Sequence, residues 1–244
     1  MLHPRPPERQ AAGDPHGVFG NRLLDTLPTH EAERLTGLLR RVYVQRDQRL
    51  MRPEEPLSFL HFPEDSFAWV WTETTNTERP TTVFTVGQRG VVEWNRVLGS
   101  HVGETCASVI SPGSMWRVSA AAIEQAGSAL PHLLLRFANS CVLNAACRLA
   151  CNAEHNIDQR LARWLLWVAD ECGQPEFAIT HQQIADIAAI RRPSVSLALS
   201  KFQREGLVRS QHGRLRILDR QHLETMVCAC YWIIKHNSDA VFNK

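Results

Sequence analysis

Residues 177–219 constrain the fold more tightly than any other part of this chain. Thr180 is a residue type that caps helix N-termini, and the amphipathic run HQQIADIA follows it. After a break at AAIRR a second amphipathic helix opens at Pro193, where the missing N–H has no intrahelical partner. The run GLVRSQHGRLRIL is typical of a β-hairpin. Helix, turn, helix and a two-stranded ribbon in this order predict a winged helix-turn-helix.

The same part of the chain is strongly basic, although the whole chain is nearly neutral. The 244 residues carry a net charge of only +2, whereas residues 190–220 hold eight basic and two acidic residues. A local excess of this kind is typical of a surface that binds nucleic acid or phosphate. The alternative is a solvated helix face, but acidic residues usually intersperse such faces. The basic residues are Arg191, Arg192, Lys201, Arg204, Arg209, Arg214, Arg216 and Arg220.

The N-terminal half has a different character. Residues 20–40 show helical spacing interrupted at Pro28, which predicts two short helices. From residue 42 to about 118, short β-rich runs such as FAWVWTE, TTVFTV and SMWRVSA alternate with turn clusters such as RPEEP and SPGS. Several short strands at this spacing predict a sandwich or small barrel rather than a parallel sheet. The Pro- and Gly-rich stretch before them has no apolar segment and predicts a disordered lead.

The longest uninterrupted helical pattern, HLLLRFANSCVLNAACRLACN, follows Pro131. Its apolar and small residues recur at 3–4 spacing, as in a coiled-coil seam that lets a second helix approach closely. We therefore predict a dimerisation helix over residues 131–154. Ordinary packing against the β-rich region is the alternative. The predicted seam is Leu135, Ala138, Val142, Ala145 and Leu149, with Asn152 at its end.

In this order of segments, residues 20–235 resemble the CRP/FNR superfamily of bacterial transcription regulators, named for the cyclic-AMP receptor protein and the fumarate–nitrate regulator. The segment THQQIADIAAIRRPSVSLALSKF is similar to that family's pattern T-x-x-x-[IL]-A-x-x-x-[GA]-x-x-R-x-[ST]-[VI]. The resemblance implies an α+β fold with a β-roll (double-stranded β-helix or jelly-roll) sensor domain over residues 20–130. A disordered lead would occupy residues 1–19, and the winged helix-turn-helix would occupy residues 155–244 after the dimerisation helix.

The second helix of a helix-turn-helix enters the DNA major groove N-terminus first, so its early turns reach base edges. Arg192 matches the family's recognition arginine, whose planar fork suits guanine. Ser194 and Ser196 lie on the same early turns. Pro193 stands where the family commonly has an acidic residue, and Leu197 stands in place of a second arginine. We therefore expect fewer direct base contacts here than in the best-known relatives.

The resemblance places further DNA contacts around this helix. Thr180 and Gln182 begin the preceding helix and are positioned for phosphate contacts. Additional positive charge would come from Arg191, Lys201, Arg209, His212 and Arg214. The resemblance implies a cytoplasmic homodimer that binds a palindromic site on double-stranded DNA, with RNA polymerase as a further partner. It implies neither enzymatic activity nor membrane association, and no run approaches the ~20 apolar residues of a membrane span.

The sensor end lacks the residues with which family members bind cyclic nucleotides. Val91 follows Gly90 where a glutamate would hold the ribose, and residues 105–107 are Thr-Cys-Ala where an arginine would clamp the phosphate. Because a buried phosphate needs charge-assisted hydrogen bonds, we expect no cyclic AMP or cyclic GMP in the usual pocket. Arg89 or Arg96 could supply a charge from elsewhere. The effector stays unknown, and a β-roll that serves only as a dimer and interaction scaffold is the alternative.

Seven cysteines, an odd number, favour reduced cytosolic thiols over a disulfide framework. Cys147 and Cys151 share a helix face with Cys141 nearby. Two interpretations stay open: they ligate zinc or a cluster or form intersubunit disulfides, or they are small buried residues of the helix. Cys228 and Cys230 would point apart on a helix, so we expect no local site from them.

A second function class is a cupin-like metal-binding barrel, suggested by His61 and His101. No H-x-H pair or clustered carboxylates accompany these histidines. Apart from the open question of the cysteines, we therefore predict no catalytic residues, no metal ligands and no cofactor, and leave an unidentified small-molecule effector open.

Overall fold

The computed structural model describes residues 17–72, 81–123, 125 and 127–243 of the chain. A β-rich N-terminal part, one long helix and a C-terminal helical part with a small sheet confirm the predicted α+β class. The N-terminal elements are α1 (Arg22–Asp25), α2 (Thr29–Thr36), β1 (Arg40–Val44), β2 (Arg49–Met51), β3 (Phe59–Pro63), β4 (Phe67–Thr72), β5 (Thr81–Val86), β6 (Cys106–Ser111) and β7 (Gly113–Ser119). They are followed by α3 (Ala129–Glu154), α4 (Ile157–Cys172), β8 (Glu176–Ala178), α5 (His181–Ala188), α6 (Arg192–Arg204), β9 (Val208–Gln211), β10 (Arg214–Ile217), α7 (Arg220–Met226) and α8 (Cys230–Ala240).

The N-terminal strands form two antiparallel sheets, which agrees with the sandwich, one of the two arrangements that the sequence predicts. One sheet has the order β1-β7-β3 and the other the order β2-β6-β4-β5. Val70, Val109 and Met115 are fully buried between the strands, because β-branched and long apolar side chains pack well on a pleated surface. The result is the sandwich expected of a jelly-roll domain.

The predicted disordered lead over residues 1–19 is too long. Residues 1–16 lie outside the described part of the chain, but Phe19 is 4% exposed. Its ring packs edge-on against Trp116 with the centroids 5.7 Å apart, and Trp116 Nε1 donates a hydrogen bond to the Phe19 carbonyl. Phe19 therefore helps to anchor the beginning of the described part to the sandwich, a contact that composition alone does not predict.

Helix α3 begins two residues before Pro131, because proline is tolerated in the first turn of a helix. The predicted seam is only partly exposed. Leu135, Val142 and Leu149 have exposed fractions of 44%, 58% and 72%, whereas Ala138 is 2% exposed and Ala145 lines an internal cavity. These two alanines face the rest of the chain. The exposed apolar stripe, which we call the α3 face, consists of Leu135, Val142, Leu143, Ala146 and Leu149.

The C-terminal part has the predicted winged helix-turn-helix order. An Asn156–Gln159 capping box starts α4, and Gly173 ends it in the left-handed conformation with φ 64°. Strands β8, β9 and β10 form a small sheet in the order β8-β10-β9. His212 and Gly213, with φ of 50° and 72°, form the tight turn of the β9–β10 hairpin, which we call the wing.

The sandwich and the C-terminal part share one core. Phe67 and Ile110 of the sandwich belong to the same buried cluster as Trp164 of α4 and Phe177 of β8. Thr82 Oγ1 in β5 also donates a hydrogen bond to the Asp186 carbonyl in α5. The orientation of the helix-turn-helix is therefore set by packing against the sandwich.

A buried charge cluster adds to this junction. Arg89 lies 3.8 Å from Glu171 Oε1 and also pairs with Asp239 of α8. The Gly87 N–H donates to Glu171 Oε2 at 3.0 Å. Burial raises the pKa of Glu171 to about 7, against the opposing effect of Arg89. The carboxyl group is thus costly to ionise where it sits.

Replacing Glu171 by glutamine is expected to remove a pH dependence of stability. Because the pKa is raised on folding, the folded state binds more protons between pH 4.5 and about 7, and the free energy of unfolding falls as pH rises through that range. The difference in the free energy of unfolding between Glu171→Gln and wild type should therefore shift in favour of the variant by up to about 3 kcal/mol from pH 5 to pH 8, as measured by urea unfolding.

The comparison with wild type isolates this one group. Other titrating side chains, such as His181, are present in both proteins and cancel in the difference. Glu205→Gln, which changes an exposed carboxyl, should run parallel to wild type. An equal effect of Glu171→Gln at pH 5 and pH 8 would contradict the assignment.

Candidate nucleic-acid interface

Helix α6 is held by one apolar face. Val195, Ala198, Leu199 and Phe202 are each at most 4% exposed, as expected for the core side of an amphipathic helix. A left-handed Ala189, with φ 51°, ends α5 and turns the chain toward α6. The opposite face of α6 is therefore presented to the outside of the molecule.

The N-terminal turn of α6 carries two free cations. Arg191 is its N-cap and Arg192 its first residue, and both are exposed. Neither guanidinium forms a hydrogen bond or ion pair with a described residue. Ser194 is half-buried behind them, and Leu197 is 72% exposed one turn further on. A guanidinium without an internal partner is available to an external acceptor such as a guanine edge.

His181 connects α6 to the wing, a contact that no local pattern in the sequence predicts. Its Nδ1 lies 3.0 Å from Ser196 Oγ and its Nε2 lies 3.2 Å from Ser210 Oγ. Burial and the charge of Arg192 lower the pKa of His181, which favours the neutral ring with one donor and one acceptor nitrogen. Gln203 adds a second link, since its Oε1 accepts a hydrogen bond from Ser210 N at 2.8 Å. Ser196 thus has an internal partner, and its contact with DNA stays a prediction.

The polar side chains at the start of α5 are mostly hydrogen-bonded to neighbouring residues of the same chain. The Gln183 N–H donates to Thr180 Oγ1 at 3.2 Å, and the Thr180 N–H donates to Gln183 Oε1 at 3.0 Å. Gln182 is exposed, and its Nε2 donates to Asp186 Oδ1. A capping box of this kind defines the helix N-terminus, where backbone N–H groups favour a phosphate.

Three of the eight basic residues of this region are paired with carboxylates. Lys201 lies 2.7 Å from Asp158, Arg214 lies 2.6 Å from Glu176, and Arg220 is held by Asp170 and Glu224. The remaining five are exposed and form no ion pair with a described residue: Arg191, Arg192, Arg204, Arg209 and Arg216. On the wing, one groove brings together Arg209, His212, Arg214 and Arg216.

In the sensor region, most of the residues at the family's cyclic-nucleotide-binding positions are buried in the sandwich. Val91 is fully buried, and Cys106 and Ala107 pack inside the sandwich. Arg89, considered above as a source of charge for a ligand, is already paired with Glu171 and Asp239.

His61, which together with His101 suggested the alternative of a cupin-like metal-binding barrel, is paired with a carboxylate. Glu93 is 2% exposed and accepts hydrogen bonds from the His61 backbone N–H and from His61 Nδ1, the latter at 2.7 Å. Among the described residues, the four potential metal ligands that converge lie elsewhere, at the end of α3.

A small cavity lies between β5, α3, α4 and α8. Its volume is about 40 Å³, and Arg89, Arg148, Trp164 and Glu171 contribute to its lining. That volume is enough for roughly three water molecules.

Comparison with known proteins finds a family match for the C-terminal part and solved structures that share the overall fold. Residues 159–226 match the family of Crp-like helix-turn-helix domains. Over 71 residues the chain is 37% identical to the transcriptional regulator LdrP of Thermus thermophilus, covering 27% of this chain and 36% of the relative. The match therefore spans about a third of the length of that curated relative.

Solved structures share the overall fold. FixK2 of Bradyrhizobium japonicum superposes with a TM-score of 0.67 at 16% identity, covering 78% of this chain and 98% of FixK2. A CRP-family transcriptional regulator of Thermus thermophilus superposes with a TM-score of 0.63 at 21% identity, covering 77% and 95%. No helix in the described part of the chain is long and apolar enough to cross a membrane.

Proposed function

The chain carries a Crp-like helix-turn-helix domain within the fold of the CRP/FNR transcription regulators, and on this premise we propose that it is a homodimer that binds a palindromic DNA site in the cytoplasm. Domain family and fold are those of transcription regulators and not of enzymes. The observation that carries the proposal is α6, which is anchored by a buried face and begins with Arg191 and Arg192, two cations with no hydrogen-bond or ion-pair partner among the described residues.

Base recognition in this proposal depends mainly on Arg192. Its fork would bind guanine in the major groove, and the exposed Leu197 would contact an apolar group such as a thymine methyl. Arg209 and His212 on the wing would contact phosphates, which fix the register of the protein without reading sequence. The link from His181 to Ser196 and Ser210 supports this arrangement, because it ties α6 and the wing into one unit.

Dimerisation would use the α3 face. Its exposed leucines and valine lie on one helix, and two such helices would pack through them in a parallel pair. A two-fold axis along α3 would place the two α6 helices in successive major grooves, about one helical turn apart.

Control by cyclic AMP is not part of the proposal, since Arg89 is occupied by Glu171 and Asp239 and Val91 is buried. An effector of another kind would act by shifting the population of helix-turn-helix orientations. The shared core between sandwich and α4 gives it a route, because movement of the sandwich moves the helices packed on it. Without an effector, the sandwich would act as a scaffold for dimerisation and for contact with RNA polymerase.

Selection of bound fragments from random DNA tests this function. Wild type is expected to enrich a palindrome, and Arg192→Ala is expected to lose about 1–3 kcal/mol of binding free energy with relaxed specificity at one position of each half-site. Failure of wild type to enrich any sequence would contradict the proposed function.

Two further variants separate base reading from charge. Arg209→Ala should weaken binding about equally to all sequences and reduce the slope of affinity against salt by about one. Arg34→Ala removes the same charge from the exposed face of α2 in the sandwich part and should bind as wild type does. An equal loss in all three variants would show that net charge, rather than Arg192, determines binding.

A further inference from the structure

Four side chains with metal-binding groups converge where α3 ends. They are Cys151, His155, Cys228 and Cys230, and their ligand atoms all lie within 4.8 Å of one another. The Cys151 and Cys228 sulfurs are 3.5 Å apart, and Cys230 Sγ is 3.8 Å from His155 Nδ1. A tetrahedral zinc ion with Zn–S bonds of about 2.3 Å holds two sulfurs about 3.8 Å apart. The observed separations are close to this spacing.

The chain brings the four groups together from two segments far apart in sequence. Cys151 lies in the last turn of α3 and His155 is its C-cap, four residues on. Cys228 lies in the loop before α8 and Cys230 is the first residue of that helix. From the sequence, both cysteines are expected on one helix, with side chains that point apart. That expectation is wrong, because Cys228 lies outside the helix and its sulfur meets Cys151.

Burial of Cys151 argues against an intersubunit disulfide at this residue. Cys151 is fully buried within its own chain, so it cannot form an intersubunit disulfide without rearrangement. Cys151 and Cys228 are not joined by a disulfide, since their sulfurs lie 3.5 Å apart and a disulfide bond is about 2.05 Å long. What remains is a compact Cys₃His set enclosed by the chain.

A buried arginine beside the cluster points to a negatively charged occupant. Arg163 is 4% exposed, and its Nε donor has no hydrogen-bond acceptor among the described residues. Burial raises the pKa of the Cys147 and Cys151 thiols, and the nearby positive charge of Arg163 opposes this rise. Buried charges are normally paired, because an isolated one carries a large desolvation cost. A zinc ion with three thiolates has a net charge of −1 and would balance this arginine.

We propose that Cys151, His155, Cys228 and Cys230 bind one zinc ion that fastens the C-terminal end of α3 to the start of α8. Each thiol would give its proton to solvent as it binds, so uptake of Zn²⁺ releases three protons and leaves a site of net charge −1. With four protein ligands the site would be closed and structural rather than catalytic.

At this position the zinc would connect the long helix α3 to the C-terminal helix α8. Helix α3 carries the exposed α3 face, and α8 follows directly on α7 of the helix-turn-helix domain. Asn144 of α3 donates to Ser238 of α8 and accepts from Asn237 of α8, so the two helices are already in contact along their length. A metal at their ends would fix the C-terminal domain to the long helix.

Metal analysis of the full-length protein, purified anaerobically without chelators, tests the proposal. Wild type should contain about one zinc per chain, and cobalt substituted for it should show the intense thiolate-to-cobalt absorption of a tetrahedral site. Cys151→Ser and Cys228→Ser should fall to less than about a tenth of an equivalent. Cys147→Ser, which changes the cysteine one turn before Cys151, should keep its zinc.

Variants at His155 distinguish a ligand from a packing residue. His155→Ala should lose most of its zinc, whereas His155→Cys should keep it, with a stronger cobalt–thiolate band because four-cysteine sites also bind zinc. Circular dichroism identifies any variant that merely fails to fold. Wild type that neither contains zinc nor takes up cobalt overturns the proposal. So does wild type with bound iron and sulfide, with a Cys151–Cys228 disulfide, or with zinc that depends on Cys147.

Discussion

Substituting glutamate for both Val142 and Leu149 is expected to convert the protein to a monomer and to weaken binding to its palindrome by at least about 100-fold. Both side chains are more than half exposed on the α3 face, so the chain itself loses little packing. Four carboxylates across a two-fold axis would repel one another in a desolvated interface. Without a partner the second half-site is no longer bound at high effective concentration, a loss of about 10²–10⁴ in affinity.

The measurement is molar mass by light scattering together with DNA titration of a whole palindrome and of a single half-site. Affinity for the half-site should change little, because α6 is distant in sequence from both substitutions and keeps its core. The matched control carries Tyr43→Glu and Leu98→Glu, two exposed apolar residues of the sandwich part, and should remain a dimer. A double α3 variant that stays dimeric would show that another surface forms the interface.

The helix-turn-helix could be predicted from sequence because its signals are local. A capping threonine, a first-turn proline and apolar residues at helical spacing each act within a few residues, and α5, α6 and the wing lie where these signals place them. The strands in FAWVWTE, TTVFTV and SMWRVSA were predictable for the same reason, since β-branched and aromatic residues bounded by turn residues are a local signal.

The features that sequence did not predict depend on partners far along the chain. Helical spacing does not distinguish an apolar face packed inside the chain from one left exposed, so Ala138 and Ala145 were assigned to the dimer seam although they face inward. His181 joins residues 15 and 29 positions away, and no local pattern marks such a contact. The position of Cys228 was predicted wrongly because α8 begins only at Cys230, and the Cys228 side chain therefore points in a direction that the loop sets.

Trp164→Ala is expected to be the most destabilising single substitution proposed for this chain. Trp164 is 2% exposed, packs edge-on against Phe177 with centroids 6.4 Å apart, and belongs to the core shared by the sandwich and the C-terminal part. Removing a buried aromatic side chain costs about 3–5 kcal/mol in the free energy of unfolding. For a chain of this size, that corresponds to a fall in Tm of roughly 6–20 °C.

The shared core also predicts that the two parts unfold cooperatively, which calorimetry can test. Because Phe67 and Ile110 pack into the same cluster as Trp164, wild type should unfold in one transition, and Trp164→Ala should separate the unfolding of the sandwich from that of the helix-turn-helix. Trp232→Ala is the matched control, since this tryptophan of α8 is 48% exposed and its loss should cost about 0.5 kcal/mol. Equal effects of the two tryptophan substitutions would mean that α4 does not join the two parts into one core, and that the orientation of α6 is set elsewhere.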